Sequence, residues 1–325
     1  MSSPVTYTLK GNIGVISINN PPVNALSQAV RQGIMEALDQ SESDASDAVL
    51  IICEGRTFIA GADISEFGKP LLDPWLPAVV NRIEASAKPV VAAIHGTALG
   101  GGFEVALAAH YRCALPSAKV GLPEVKLGLL PGAGGTQRAP RLAGAQAALD
   151  LMTSGAPVNA AVAAEVGLVD RIIEGDLLDG ALAWAAELLA DGAGPRRTAE
   201  MTVPPHDPAI FDNYRATLAK RARGQIAPQY IVECVEAAAR LPLAEGLQLE
   251  RDRFAELMAG EQSIALRHIF FAERQAAKVD GLPKETPLRP IESVGLIGGG
   301  TMGGGIAMSF ANAGIPVTLI EINDE

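Results

Sequence analysis

Residues 89–111 constrain the fold more than any other stretch of the chain. Pro89-Val90-Val91-Ala92-Ala93-Ile94 is an unbroken apolar run, the pattern of a strand covered on both faces. It passes through His95-Gly96 into Thr97-Ala98-Leu99-Gly100-Gly101-Gly102, and a helical run from Phe103 to Tyr111 follows. Three glycines at a helix start leave backbone N–H groups uncovered, with the positive end of the helix dipole behind them. Such a corner can hold an anion, or an oxygen that gains charge during a reaction. Glu104 lies three residues after Gly101, on the same face of that first turn. A second carboxylate follows in Gly121-Leu122-Pro123-Glu124.

The flanking segments repeat the strand–turn–helix alternation. Val5 to Lys10 and Ile13 to Asn19 read as a β-hairpin around Gly11-Asn12. Asn20-Pro21-Pro22 breaks the second strand, and Ser27 can cap a helix running to about Asp39. Ala48 to Cys53 is a buried strand, Phe58 to Asp63 turns through Gly61, and the Pro-punctuated stretch from Phe67 to Pro77 reads as a mobile loop. Tyr111–Leu115 and Lys119–Gly121 are short strands. Repeated strand-strand-helix units of this kind imply stacked parallel sheet with helices outside. Residues 132–191 are mostly helical, with one strand candidate at Leu168–Ile173. Asp191-Gly192-Ala193-Gly194-Pro195 marks a boundary.

Beyond it the character changes. Amphipathic helices such as Ile226–Arg240 and Ala244–Ala259 replace the strands, and 281–290, rich in proline, reads as a linker. Ile291–Ile297 then forms a strand, Met302–Ala313 a helix and Pro316–Ile322 a second strand. The expected organisation is residues 1–192 as an α/β domain, 193–285 as a helical connecting segment and 286–325 as the start of a nucleotide-binding domain. The 325 residues suit about two domains.

Composition excludes several function classes. The chain is 48% apolar and 19% charged, as in a packed soluble protein. A net charge of −11 argues against a general nucleic-acid partner. Cys53, Cys113 and Cys234 are widely spaced and odd in number, which makes neither a disulfide framework nor a zinc site and suits a reducing compartment. Met1-Ser2-Ser3-Pro4 begins no signal peptide, and no apolar run is long enough to span a bilayer. A cytoplasmic location fits; a peroxisomal one stays open, since its address would be written at a native C-terminus.

The glycine corner and its neighbours resemble the enoyl-CoA hydratase/isomerase (crotonase) superfamily. The matching pieces are Phe58-Ile59-Ala60-Gly61-Ala62-Asp63-Ile64, His95-Gly96 through Gly102-Phe103-Glu104, and Gly121-Leu122-Pro123-Glu124 with Leu130-Pro131-Gly132-Ala133-Gly134-Gly135-Thr136-Gln137-Arg138. They stand in the family's order and spacing over roughly residues 1–190. The remainder resembles the continuation of the bifunctional enoyl-CoA hydratase/3-hydroxyacyl-CoA dehydrogenases. The resemblance implies a crotonase-like stacked ββα spiral, followed by a helical segment and the first βαβ of a Rossmann domain.

It also implies roles. Ala62 and Gly101 would supply the two N–H groups that bind an acyl-CoA thioester oxygen, and Glu124 would be the main acid/base. Glu104 would hold the water and share its activation. Asn24 and Ala25, in Asn20-Pro21-Pro22-Val23-Asn24-Ala25-Leu26, with Ala60 and Asp63, would contribute to CoA binding. Taken singly, these residues have plainer readings: ordinary glycine turns, a dipole partner in a helix's first turn, a surface glutamate after proline. The ordered set is what favours chemistry. His95 and His110 read as structural, no G-x-S-x-G elbow supports a serine hydrolase, and no cluster has metal-ligand spacing. The implied reaction is hydration of a trans-2-enoyl-CoA without a cofactor. A Δ3,Δ2-enoyl-CoA isomerase and a non-catalytic acyl-CoA-binding module are the alternatives. For assembly the resemblance implies either a monomer, as in the bifunctional type, or a homotrimer-based assembly, as in the free crotonase type.

Gly298-Gly299-Gly300-Thr301-Met302-Gly303 fits G-x-G-x-x-G between a strand and a helix, and Glu321 ends the next strand where an acidic residue binds ribose hydroxyls. Gly298, Gly300, Met302, Gly303 and Glu321 are therefore expected to mark an NAD site of the bifunctional parent. One βαβ unit is half of such a site. The expectation is that residues 291–325 are mobile or depend on packing against the helical segment, in an N-terminal portion of a longer bifunctional enzyme or a truncated gene product, without dehydrogenase activity of their own.

Overall fold

The computed structural model describes residues 3–63, 66, 72–276, 278–279, 281–283 and 285–322. The chain divides into two compact units, Met1–Ala272 and Glu273–Glu325.

The first unit is built on a six-stranded sheet. β1 (Val5–Lys10) and β2 (Ile13–Ile18) form the expected hairpin, with Val5 opposite Ile18 and Lys10 opposite Ile13. α1 (Gln28–Ser43) leads to β3 (Ala48–Cys53), and α2 (Leu76–Glu84) to β4 (Val90–Ile94). β5 (Thr97–Leu99) leaves the sheet, α3 (Gly101–Ala108) brings the chain back to β6 (Tyr111–Ala114), and β7 (Lys119–Gly121) pairs in parallel with β5. α4 (Gly135–Ser154), β8 (Val158–Asn159), α5 (Ala160–Glu165), β9 (Arg171–Ile172) and α6 (Leu177–Ala190) follow. The main sheet runs β1-β2-β3-β4-β6-β9, and β5-β7-β8 form a second, smaller sheet. Beyond the first hairpin all pairs of the main sheet are parallel, which demands long crossovers and places helices on its faces.

The strand code is legible in β4. Val90, Ala92 and Ile94 enter the core shared with α1, α2 and α3, whereas Val91 and Ala93 pack on the other face with Leu177, Ala181 and Trp184 of α6. Burial on both faces explains why the strand is apolar throughout rather than alternating. Each fully buried Val or Ile contributes about 1.5–3 kcal/mol.

The later helices are α7 (Ile210–Arg221), α8 (Ala227–Arg240), α9 (Leu243–Ala259) and α10 (Glu261–Ala276). Ile231, Val232 and Val235 of α8 share one core with Leu149 and Met152 of α4, so this segment completes the α/β core. Some boundaries depart from expectation. α1 continues past Asp39 to Ser43, and Ser27 precedes it without a side-chain cap. The strand sought at 168–173 is only Arg171–Ile172. β5 was hidden because three residues between glycines carry no periodicity. Residues 67–71 of the expected mobile loop lie outside the described residues.

In the second unit, β10 (Val294–Ile297) and β11 (Val317–Ile320) pair in parallel around α11 (Thr301–Asn312). This is the expected strand–helix–strand order. α11 buries none of its residues. Two strands and one helix enclose too little apolar surface for a core of their own.

Candidate active site

The glycine corner forms where two segments run side by side. Phe58 N–H donates to the His95 carbonyl at 2.9 Å and Leu99 N–H to the Ile59 carbonyl at 3.0 Å, carrying Ala60–Asp63 alongside β5 and the start of α3. Gly102 must be glycine because a Cβ there would run into the Ile59 carbonyl oxygen. Gly100 turns with φ of 52°, a conformation costly for other residues. A Cβ on Gly101 would stand 3.5 Å from the Ala62 backbone nitrogen, so the two expected N–H donors meet at one corner. Gly101 opens α3, where N–H groups have no partner within the helix.

Glu104 projects from the first turn of α3 and is buried. Its Oε1 accepts from the backbone N–H of Ala133 at 2.7 Å and of Gly135 at 2.8 Å. Burial raises its pKa above the usual carboxylate range, against those two donors and the charge of Arg138.

Glu124 sits on a 3-10 turn, Pro123–Leu127, that follows β7. Proline begins that turn at no hydrogen-bonding cost, and Gly128 ends it in the left-handed region. Gly100 N–H donates to the Gly121 carbonyl at 2.9 Å, joining this turn to the glycine corner. A Cβ on Gly100 would lie 2.9 Å from Glu124 Oε1. Among the described residues, Glu124 Oε2 is buried with no hydrogen-bond partner. Burial first and the Glu104 charge second push its pKa well above the usual range, with Glu250 adding to the rise.

Two carboxylates thus share a site beside the Ala62–Gly101 corner. Like charges so placed disfavour double ionisation, which leaves one group able to give a proton and the other able to take one. Among the described residues no group of His, Cys, Asp and Glu is arranged to hold a metal.

The expected CoA loop is braced by its own asparagine. Asn24, at φ of 53° and buried, donates from Nδ2 to the carbonyls of Glu54 at 2.9 Å and Thr57 at 2.8 Å, and its Oδ1 accepts from Asn20 N–H at 2.8 Å. The Ala25 carbonyl accepts from Asn20 Nδ2 at 2.8 Å, and Ala60 N–H donates to the Val23 carbonyl at 3.1 Å. Asp63 accepts from Glu66 N–H through its carbonyl at 3.0 Å. The Asn24 side chain is therefore spent on shaping the loop, which leaves ligand contacts to backbone groups and neighbours. His110 is structural as expected: Nδ1 accepts from Val90 N–H at 2.9 Å and Nε2 lies 3.1 Å from the Glu84 carbonyl. His95 Nε2 lies 3.1 Å from the Gly55 carbonyl.

Sequence reading missed Glu250. This residue of α9 is buried, and accepts from Gly134 N–H at 2.6 Å, Thr136 N–H at 3.0 Å and Thr136 Oγ1 at 2.5 Å. A signal was present: Gly246, Glu250 and Leu257 recur at helical spacing and are the buried residues of α9, so a glutamate occupies a core position.

The second unit carries the dinucleotide motif. Gly298 has φ of 93°, and a Cβ on Gly303 would run into the Gly298 carbonyl oxygen, so both glycines are required by the turn and by close helix–strand approach. Gly300 precedes α11, and Met302, in its first turn, is exposed. Glu321 Oε2 accepts from Gly299 N–H at 2.5 Å and Oε1 from Ile322 N–H at 2.8 Å, which lowers its pKa. Turn, helix start and terminal carboxylate fit the phosphates and ribose of a dinucleotide.

Comparison with known proteins agrees with both motifs. A model described as enoyl-CoA hydratase/isomerase matches residues 8–203, and one described as 3-hydroxyacyl-CoA dehydrogenase, NAD binding domain, matches residues 293–325. The chain is 44% identical over 321 residues to the peroxisomal bifunctional enzyme of Danio rerio, covering 96% of this chain and 44% of that enzyme. It is 36% identical over 341 residues to the fatty acid oxidation complex subunit alpha of a Shewanella species, covering 96% and 47% respectively. The chain thus spans a little under half the length of these relatives. Among solved structures, a carnitinyl-CoA dehydratase from Mycobacterium avium superposes with a TM-score of 0.61 at 29% identity, over 81% of this chain and 95% of that one. The chain belongs to the enoyl-CoA hydratase/isomerase family, on a crotonase fold that continues through a helical segment into the start of a 3-hydroxyacyl-CoA dehydrogenase NAD-binding domain.

Proposed function

We propose that the first unit hydrates trans-2-enoyl-CoA to 3-hydroxyacyl-CoA in fatty-acid β-oxidation. One observation carries the reading: two carboxylates flank the Ala62–Gly101 corner, Glu104 buried and anchored through Oε1, and the half-buried Glu124 with a buried Oε2 that has no hydrogen-bond partner among the described residues. The thioester oxygen would accept from the backbone N–H groups of Ala62 and Gly101. It gains charge as the enolate forms, so preset donors stabilise the transition state more than the bound substrate, by about 3–4 kcal/mol per donor. Glu104 would orient the water and share its activation. Glu124, held protonated by burial and the Glu104 charge, would deliver its proton to Cα as oxygen attacks Cβ and take up the proton that the attacking water loses, so that no net charge is left on the site. Backbone groups around Asn24, Ala25, Ala60 and Asp63 would receive the CoA portion.

We further read the chain as the hydratase part of a bifunctional hydratase/3-hydroxyacyl-CoA dehydrogenase, working in the reducing environment of a cytoplasm or peroxisome. Gly298, Gly300, Met302 and Gly303 would present the start of α11 to a pyrophosphate, and Glu321 would take ribose hydroxyls. NAD, when bound, supplies the hydride acceptor for oxidising a 3-hydroxyacyl thioester. The hydration reading is tested by following the conjugated enoyl-thioester absorbance with crotonyl-CoA and longer homologues. Its loss, with 3-hydroxyacyl-CoA as product, is expected; no loss at any chain length would sink the reading.

A further inference from the structure

We propose that Glu250 is a positioning residue for this site, because it and Glu104 hold alternate N–H groups of the 133–136 segment. The inference rests on the hydration reading above for its catalytic consequence and on geometry alone for the positioning itself.

Four consecutive backbone donors are divided between two carboxylates. Ala133 and Gly135 donate to Glu104 at 2.7 and 2.8 Å, while Gly134 and Thr136 donate to Glu250 at 2.6 and 3.0 Å. The acceptors come from two different helices, α3 and α9, so the segment is held by both. The Thr136 hydroxyl adds a third donor to Glu250, at 2.5 Å. The grip extends along α9. A Cβ on Gly132 would strike the Phe254 ring, and a Cβ on Gly246 would strike the Gln137 amide, so this face of α9 lies closely along residues 132–137. Gln137 Nε2 also donates to the Cys234 carbonyl of α8 at 2.8 Å. The place where Glu104 is anchored is thus set by helices that follow the α/β region in sequence.

The tolerance is small, since a Cβ on Gly135 would stand 2.9 Å from Glu104 Oε1. Without the Glu250 carboxylate, Gly134 N–H, Thr136 N–H and Thr136 Oγ1 lose their acceptor in a buried place. The segment must then turn to find others, and the two N–H groups holding Glu104 turn with it. Charge acts in the same place. The ionisable groups around Glu250 are Glu104 of α3, Glu124 of the 3-10 turn, Arg138 of α4 and Cys234 of α8. Burial and then the Glu104 charge push Glu250 up to about 8, against its donors and Arg138. The Glu250 charge in turn raises Glu124. Neutralising Glu250 therefore lowers the pKa of Glu124 and moves the alkaline limb of hydration, where the proton-donating form is lost, to lower pH.

The test compares the full chain with Glu250→Gln and Thr136→Val by two independent readouts. In the first, hydrogen–deuterium exchange of peptides covering 131–138 should quicken in both variants, including the Ala133 and Gly135 amides held by Glu104. This readout needs no turnover, so it stands apart from the hydration reading. In the second, Glu250→Gln should lower kcat for enoyl-CoA hydration by about 10- to 100-fold, the scale of a misplaced catalytic group, with KM little changed. Its alkaline limb should move to lower pH. Thr136→Val, which keeps the N–H and loses only the hydroxyl, should show a smaller loss of kcat and decides the matter if Glu250→Gln does not fold. Faster exchange in a chain that hydrates no enoyl-CoA would uphold the positioning and sink the hydration reading. Unchanged exchange at 133 and 135, or an unmoved alkaline limb in an active Glu250→Gln enzyme, would overturn the proposal.

Discussion

Gly135 donates its backbone N–H to Glu104 Oε1 at 2.8 Å, and a Cβ added to Gly135 would stand 2.9 Å from the same oxygen. This glycine is needed for approach: its Cα face is filled by the carboxylate it holds and by the Pro131 ring. Gly135→Ala should therefore push Glu104 off its donors and lower hydration kcat by about 10- to 100-fold. Affinity for a saturated acyl-CoA should change little, because Ala62 and Gly101 are untouched. Calorimetric titration beside steady-state kinetics separates the two. An alanine variant with undiminished kcat would show that the contact is not what positions the carboxylate.

The two glutamates should divide the chemistry. Removing either carboxylate should lower kcat by at least ~10²-fold, the usual scale for a positioned acid or base. Glu104→Gln should impair hydration more than Δ3,Δ2 isomerisation, which needs one base and no activated water, while Glu124→Gln should impair both. Parallel assays with 2-enoyl- and 3-enoyl-CoA measure this. Equal loss of isomerisation in the two variants would refute the division of roles.

The carboxylates of this site should cost stability as pH rises. Glu104 and Glu124 are raised from an ordinary value of 4.5, and Glu250 to about 8. Across that window the native state holds more protons at these sites than the unfolded chain, so stability falls as pH increases. Glu124→Gln removes one such group without changing its shape. Its Tm should exceed that of the parent by ~2 °C or more at pH 8, on the scale of about 1 kcal/mol for a domain of this size, and by less at pH 5. Thermal denaturation at the two pH values checks this; a gain that is larger at pH 5 would contradict the sign.

The Arg138–Glu84 pair should work in the opposite direction. Arg138 Nη2 lies 2.7 Å from Glu84 Oε2, both side chains are buried, and Arg138 Nη1 also donates to the Ala133 carbonyl at 3.2 Å. Burial alone would raise the Glu84 pKa, but the Arg138 charge and the Thr198 hydroxyl hold it below its ordinary 4.5. A depressed carboxylate stabilises the fold above its unfolded pKa, and that contribution is lost as pH falls through the folded value. Arg138→Met strands the Glu84 charge and should cost about 3–5 kcal/mol at pH 7, with the deficit shrinking in acid. Urea unfolding at pH 7 and pH 4 measures both. A deficit of under ~1 kcal/mol at pH 7 would mean that the remaining donors to Glu84 suffice without the arginine.

Local signals carry the α/β framework. The apolar runs at 48–53 and 90–94 become central parallel strands, and the glycine triplet becomes the start of α3, because strand burial and glycine turns are properties of adjacent residues. The dinucleotide turn at 298–303 is local in the same sense, and Gly303 is explained by a carbonyl five residues away. Glu104 and Glu124 could be singled out from their motifs, but nothing in the nineteen intervening residues says that they share one site. That follows from β5 pairing with β7, which sets Gly100 beside Gly121 and brings the Glu124 carboxylate against the glycine corner. The elevated pKa values arise only there, since burial and repulsion between carboxylates do not exist in the extended chain. Glu250 shows the distinction most sharply. Its place on the buried stripe of α9 is written in helical periodicity, yet its acceptor role depends on folding a segment 114 and 116 residues away in sequence against that helix. Periodicity along one helix reports which face is buried; what that face meets is settled by packing between elements that no local pattern relates.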